Sequence, residues 1–319
     1  MASALTTAGL RIGFVGLGNM GQAMALNMQA HRVANGNPPI SVYNRTPSKT
    51  LPLAEKGALV CESPSAVAAN SDVVFLSLFN GDSVKRVLSE IFSALTGGSK
   101  SDNPLIIADT TSVHPETSRW VIDQLAARQK SFCRQVEFSQ TPVWGVPRTA
   151  MDAKLVIVTS GSSRKLIEAL AVPAIARLAL DCGTDVSCAA KFKILGNFMI
   201  GAVMEALAEA MAVAEETGIG RELYLEFVKE MFPVPPVVVH ATMMTAQNGE
   251  AAKSQVNLNV LGAMKDVCAA IDVAGEAEMR LPIAELVREH LQWVIDNGDS
   301  NWDCTSLAFA LRKDAIKKE

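Results

Sequence analysis

Arg11-Ile12-Gly13-Phe14-Val15-Gly16-Leu17-Gly18-Asn19-Met20-Gly21 is the stretch that decides how the rest of the chain is read. Arg11 to Val15 has the short apolar run of a buried strand, and Asn19 to Ala30 has the spacing of a helix. Between them lies G-x-G-x-x-G. The first glycine permits a tight turn, the second lets the backbone approach a pyrophosphate, and the third lets helix and strand pack closely. A helix N-terminus offers unsatisfied N–H groups and the positive end of its dipole. Gly16, Leu17, Gly18, Asn19, Met20 and Gly21 are therefore read as binding a dinucleotide.

Further apolar runs follow at Ile40–Tyr43, Val73–Leu78, Leu105–Ala108 and Leu155–Thr159. Helical stretches at Pro47–Lys56 and Ser65–Asn70 alternate with them, and Pro38-Pro39 and Gly97-Gly98-Ser99 mark loops. Such alternation implies a doubly wound parallel sheet, a Rossmann domain, with right-handed crossovers. The second strand runs into Asn44, Arg45 and Thr46, with Lys49 close behind. An NAD site puts an acidic residue there for the ribose hydroxyls, whereas an arginine suits a 2′-phosphate. NADP(H) is expected rather than NAD. Leu78 and Phe79, at the end of the Val73–Leu78 strand, are added to the cofactor-binding set.

The texture changes near Gly183. Ala189–Thr217 reads as one long apolar helix that Gly218 can end, followed by helices at Arg221–Met231, Pro236–Gln247, Leu258–Ala274 and Pro282–Asp296. The expected architecture is a dinucleotide-binding domain over 1–185 and an all-helical substrate and dimerisation domain over 186–319, joined by that helix. Apolar residues make up 49% of the 319 and aromatics 5%, a balance that suits helices on a parallel sheet. A net charge of −4 leaves no basic footprint for nucleic acid or an anionic membrane. The six cysteines form no C-x-x-C pair, so reduced thiols and no metal site are expected. Met1–Gly9 carries no secretory pattern, and no uncharged apolar run of about 18 residues is evident. A soluble cytoplasmic protein is expected.

Several ordered motifs carry a resemblance. GFVGLGNMG at Gly13–Gly21, the strand end NRT, DTTSVHP at Asp109–Pro115, Lys193-x-x-x-Asn197, AEAMAVAEETGI at Ala208–Ile219 and Met264-Lys265-Asp266 together resemble the β-hydroxyacid dehydrogenase family. This group includes 3-hydroxyisobutyrate dehydrogenase and the cofactor domain of 6-phosphogluconate dehydrogenase. The resemblance implies that Lys193 and Asn197 are catalytic and touch substrate. It also implies that Lys265, supported by Asp266, lies on the nicotinamide side, and that Thr111 and Ser112 divide between substrate carboxylate and nicotinamide. Independently, Lys193 and Asn197 are four residues apart and share a helix face that Lys191 does not. Reducing a carbonyl needs a proton at oxygen, which a lysine ammonium supplies while stabilising the developing charge. Asn197 either orients that lysine or bonds the substrate oxygen.

The pattern breaks at Pro142-Val143-Trp144-Gly145-Val146, where relatives with small hydroxyacid substrates resemble P-V-S-G-G. Trp144 and Gly145 are read as substrate-binding. An indole in place of a hydroxyl either shapes a pocket for a larger, less polar carbonyl, or packs between domains while Gly145 and Thr111 hold a carboxylate. The leading expectation is an NADP(H)-dependent dehydrogenase or reductase acting on an alcohol or carbonyl, forming a homodimer or homotetramer. The alternatives are an imine reductase-like enzyme, against which Lys193 argues, and an NADP-binding protein that has lost catalysis.

Overall fold

In the computed structural model, which describes residues 7–98, 100–246 and 250–312 with the side chains of 250 and 251 excepted, strand β1 (Ile12–Val15) is central. Met1–Thr6 of the stretch read for a leader, Ser99 of the glycine loop and Gln247 at an expected helix end lie outside those residues. β1 pairs in parallel with β2 (Ser41–Tyr43) on one side and with β4 (Val73–Leu76) on the other. β3 (Leu59–Val60), β5 (Leu105–Asp109) and β6 (Val136–Gln140) extend the parallel order to β3-β2-β1-β4-β5-β6. The chain reverses direction along the sheet between β1 and β4. In open α/β sheets such a switch point leaves a crevice at the carboxyl ends of the strands.

Alternate side chains from each strand enter different cores, which is why the strands are apolar on both faces. Phe14, Phe75 and Ile106 join one core with Met24 and Met28 of α1 (Asn19–Ala34) and Leu53 of α2 (Leu51–Ala54). Val15, Val74 and Ile107 join the other with Val67 of α3 (Pro64–Ala69), Leu88 and Ile91 of α4 (Gly81–Leu95), and Val121 of α5 (Pro115–Arg128). Proline at the first turn of the expected Pro47–Lys56 helix starts a 3-10 turn, Pro47–Thr50, before α2.

The sheet does not stay parallel. After β7 (Val143–Trp144) and α6 (Pro147–Met151), the strand β8 (Leu155–Gly161) runs antiparallel to β6 and to β7. Following α7 (Arg164–Ala171), β9 (Ala176–Asp181) adds in parallel to β8. The strand expected at Leu155–Thr159 is present, and it runs antiparallel to β6 and β7 in a sheet that is otherwise mostly parallel, as expected. Val143 and Trp144 pair with Ile157 and Val156, so the chain folds back locally and meets β6 in reverse.

The chain divides into two compact units, Met1–Lys193 and Ile194–Glu319. The division falls inside α8 (Val186–Glu216), whose first turns are fastened to the sheet unit. Ser160 Oγ donates to the Val186 carbonyl at 2.9 Å and accepts from Ala189 N–H at 3.3 Å. In the second unit, the remainder of α8 is followed by α9 (Arg221–Met231), α10 (Pro235–Thr245), α11 (Glu250–Ser254), α12 (Val260–Glu276), α13 (Pro282–Asn297) and a 3-10 segment, Cys304–Leu311. No strand occurs among its described residues. Met204, Leu207, Met211, Val228, Val267 and Leu291 form its core. By length and composition α8 is apolar enough to cross a membrane, with a mean hydropathy of 1.4, but these core residues bury one side of it. His290, isolated in the sequence, is not isolated here: its Nδ1 lies 2.7 Å from buried Glu205, whose pKa burial pushes up.

Phe14 and Phe75 stack at 5.6 Å between neighbouring central strands, both fully buried. Phe75→Ala should cost about 3–5 kcal/mol of stability, read as a lower urea midpoint at unchanged slope.

Candidate active site

The glycine loop is built by contact rather than by turn propensity alone. Gly16 has φ +96°, and a Cβ there would meet the Ser77 carbonyl at 2.2 Å. A Cβ at Gly21 would meet the Gly16 carbonyl at 2.1 Å, so α1 can approach its own loop only with glycine there. Gly18 differs: a Cβ would meet nothing within 4 Å, so no protein neighbour demands glycine. Gly18 is the N-cap of α1, no side chain caps the helix, and its first turn carries no acid. Open N–H groups, an open approach over Gly18 and an uncancelled dipole fit the pyrophosphate of a dinucleotide.

Asn44 shapes this loop. Its Oδ1 accepts from Leu17 N–H at 2.8 Å, and its Nδ2 donates to the Thr46 carbonyl at 3.0 Å. Arg45, Thr46 and Lys49 are exposed beside it. Across the switch point, Leu78 is half-buried and Phe79 is 87% exposed.

At the end of β5 the loop Asp109–Ser112 is held by buried polar groups. Asp109 is fully buried, and its carboxylate accepts from the Thr111 N–H at 3.0 Å and from the Thr111 hydroxyl. The same hydroxyl accepts from Leu78 N–H at 3.0 Å. Thr111 is 3% exposed, so the structure gives its hydroxyl an internal task where substrate contact was expected. Ser112, half-buried, is the more accessible hydroxyl of the pair. His114 caps α5, its Nδ1 accepting from Glu116 N–H at 3.3 Å. That gives it a structural partner which the sequence did not reveal.

Trp144 and Lys193 meet. The Lys193 ammonium lies 5.2 Å from the centre of the Trp144 ring, and Phe192 packs edge-on to the same ring at 5.3 Å. Lys193 is 8% exposed, an uncommon burial for lysine outside a functional site. The π face supplies part of the stabilisation that water would otherwise give the cation. Gly145, at φ +145° and with Leu155 2.4 Å from its would-be Cβ, is required by packing and backbone together. One turn beyond Lys193 on α8, Asn197 donates to Asp266 Oδ2 at 2.7 Å, and Lys265 Nζ lies 3.5 Å from Asp266 Oδ1. Asp266 thus links both second-unit residues singled out in the sequence. No cluster of three metal-ligating side chains exists among the described residues.

Comparison with known proteins shows the family and the fold. Residues 11–184 match the family model described as the NAD binding domain of 6-phosphogluconate dehydrogenase. Residues 188–311 match that for NAD-binding of NADP-dependent 3-hydroxyisobutyrate dehydrogenase. An uncharacterised oxidoreductase of Bacillus subtilis is 30% identical over 93% of this chain and 98% of its own. An NADH-dependent oxidoreductase of Aspergillus ustus is 28% identical over 93% and 97%. Among solved structures, 3-hydroxyisobutyrate dehydrogenase from Mycobacterium tuberculosis, with L-serine, has a TM-score of 0.73 at 21% identity, covering 95% and 99%.

Burial pushes the Asp109 carboxyl from its ordinary 3.8 up to about 6, against the hydrogen bonds from Thr111 and Gln140 that favour the charged form. Between those two values the folded chain holds a proton that the unfolded chain has lost. This group therefore favours folding most below pH 4, and its contribution declines as pH rises through 6. Asp109→Asn removes that dependence. The stability of the wild type relative to the variant should fall by about 2 kcal/mol from pH 4 to pH 7. Urea titrations across that range check this, and a constant difference would show that Asp109 ionises normally.

Proposed function

This chain belongs to the β-hydroxyacid dehydrogenase family and is an NAD(P)-dependent oxidoreductase acting on CH–OH groups, and from that premise we propose an NADP(H)-dependent enzyme in which Lys193 is the acid and base. The observation that carries the reading is the burial of Lys193 against Trp144, a cation kept out of bulk water on a helix tied to the sheet unit. When bound, the coenzyme supplies or receives the hydride at carbon. Lys193 Nζ donates a proton to the substrate oxygen in reduction and takes it back in oxidation. Asn197, its amide already held by Asp266, orients groups at that oxygen from one turn along the same helix. Gly16–Gly21 bind the pyrophosphate and Arg45 the 2′-phosphate, with Thr46 and Lys49 beside it. Leu78, Phe79, Ser112 and Lys265 complete the cofactor set.

The Aspergillus ustus relative is named for NADH, so coenzyme choice is a property of each chain and rests here on Arg45 replacing an acid. Trp144 favours a carbonyl substrate larger and less polar than a small hydroxyacid, because its indole occupies the site of a hydroxyl in the resemblance and offers apolar area. A cytoplasmic homodimer or homotetramer completes the proposal, with α8 as a core helix.

Three measurements test it. Lys193→Ala should lower kcat for carbonyl reduction about 10²- to 10⁴-fold while NADPH still binds, and unchanged turnover removes the lysine from the mechanism. Arg45→Ala should raise the KM for NADPH about tenfold or more and leave that for NADH within about twofold. Trp144→Ser should move preference toward small hydroxyacids. An identical ratio of kcat/KM values for small and bulky substrates removes the pocket argument.

A further inference from the structure

Gln140, the last residue of β6, is fully buried, and every polar atom of its side chain has a partner. Its Nε2 lies 3.0 Å from the Asp109 carbonyl, 3.1 Å from the Thr111 carbonyl and 3.5 Å from Asp109 Oδ2. Its Oε1 accepts from Ser118 Oγ of α5 at 2.9 Å. The loop 109–112 turns back on itself, leaving carbonyls that face inward where water does not reach. Such groups are costly to bury without a donor; the Asp109 carbonyl also accepts from the Thr141 N–H at 2.7 Å, and the glutamine amide serves the Thr111 carbonyl. Thr111, so held, fixes the Leu78 N–H. Gln140 therefore controls two segments at the carboxyl ends of β4 and β5, the place where a doubly wound sheet takes its ligand.

The same residue has a second connection. Gln140 pairs with Ser160 across the antiparallel step from β6 to β8. Ser160 Oγ is the group that fastens the first turn of α8, seven residues ahead of Lys193 from Val186. One cross-strand pair thus anchors both the loop assigned to the nicotinamide side and the helix bearing the proposed acid.

We propose that Gln140 is a positioning residue for hydride transfer, holding the Asp109–Ser112 loop and the Leu78 backbone in register with the start of α8. The proposal rests on the reading of the active site given above. An amide is the group the position demands. A carboxylate would set a further acceptor against two carbonyls and against Asp109, the titratable group recorded in contact with it, while α5 presents only the uncharged Ser118 hydroxyl.

Two variants of the full chain test this. Gln140→Leu keeps the volume roughly and removes both polar ends. It should lower kcat about 10- to 100-fold while the KM for NADPH stays within about threefold, since displacement by about an ångström of a reacting geometry has effects of that size. Gln140→Glu should retain activity in acid, where the new carboxyl is protonated and can donate. It should lose activity as pH rises and two buried carboxylates compete for one proton, a loss beyond that of the wild type over the same range. A kcat within twofold of wild type in Gln140→Leu overturns the proposal, as does a Gln140→Glu profile parallel to wild type. Should Gln140→Leu fail to fold, the second variant still decides through its pH profile. If the wild type reduces no carbonyl with either coenzyme, the active-site reading fails by itself. The inference is then read on the emission lifetime of bound NADPH. Gln140→Leu should shorten that lifetime at a Kd within about threefold, and an unchanged lifetime overturns it.

Discussion

The carbonyl of Gly16 and the Cα of Gly21 approach so closely that no side chain fits between them, and the cofactor half of the molecule depends on that contact. It sets the angle at which α1 leaves β1, and hence the direction in which the uncapped N-terminus and its dipole point. Neighbouring strands are drawn into the same knot. Gly16 N–H donates to the Tyr43 carbonyl at the end of β2, and the Ser77 carbonyl, just past β4, closes over the Gly16 Cα. Of the three strands that meet the loop, β1 and β4 flank the switch point and β2 lies on the other side of β1. A coenzyme phosphate would therefore meet a surface whose shape is set by backbone contact, with little side-chain freedom to lose on binding.

The other half of the chemistry is held by buried polar groups. Asp109, Thr111, Ser118 and Gln140 are each 3% exposed or less, and together they complete the hydrogen bonding of a loop that backbone ladders reach only in part. Such a network has large penalties for a missing partner, which makes it a rigid frame. Its cost is the perturbed Asp109, whose charge is disfavoured by burial. Lys193 is handled differently. An aromatic face and a nearly dry surrounding hold its cation.

Much of the first unit was legible in order. The glycine motif, the apolar strands and the arginine after the second strand are contiguous signals, each readable within about ten residues. Less visible were β3, of two exposed residues, β6, whose Val136-Glu137-Phe138-Ser139-Gln140 mixes polar and apolar, and β9, whose residues after Ala176 are only partly covered. Partial burial dilutes the pattern that marks a strand. The reversal of β8 was invisible because a strand's periodicity is the same in either direction. Gln140 escaped notice as one neutral residue beside the more conspicuous Pro142–Val146 stretch.

By itself, then, the sequence determined the family, the order of sheet and helical regions, and the loop that receives a dinucleotide, since those rest on local spacing and on sterics between near neighbours. Only the tertiary structure decided that the Thr111 hydroxyl turns inward, that Trp144 covers Lys193, that Asp266 joins Asn197 to Lys265, and that Gln140 holds the Asp109–Ser112 loop. Apart from the neighbouring pair Lys265–Asp266, each of those contacts joins residues about 30 to 70 positions apart. Their partners are chosen by which strand lies beside which and by the need of buried polar groups for one another, and no local pattern encodes either.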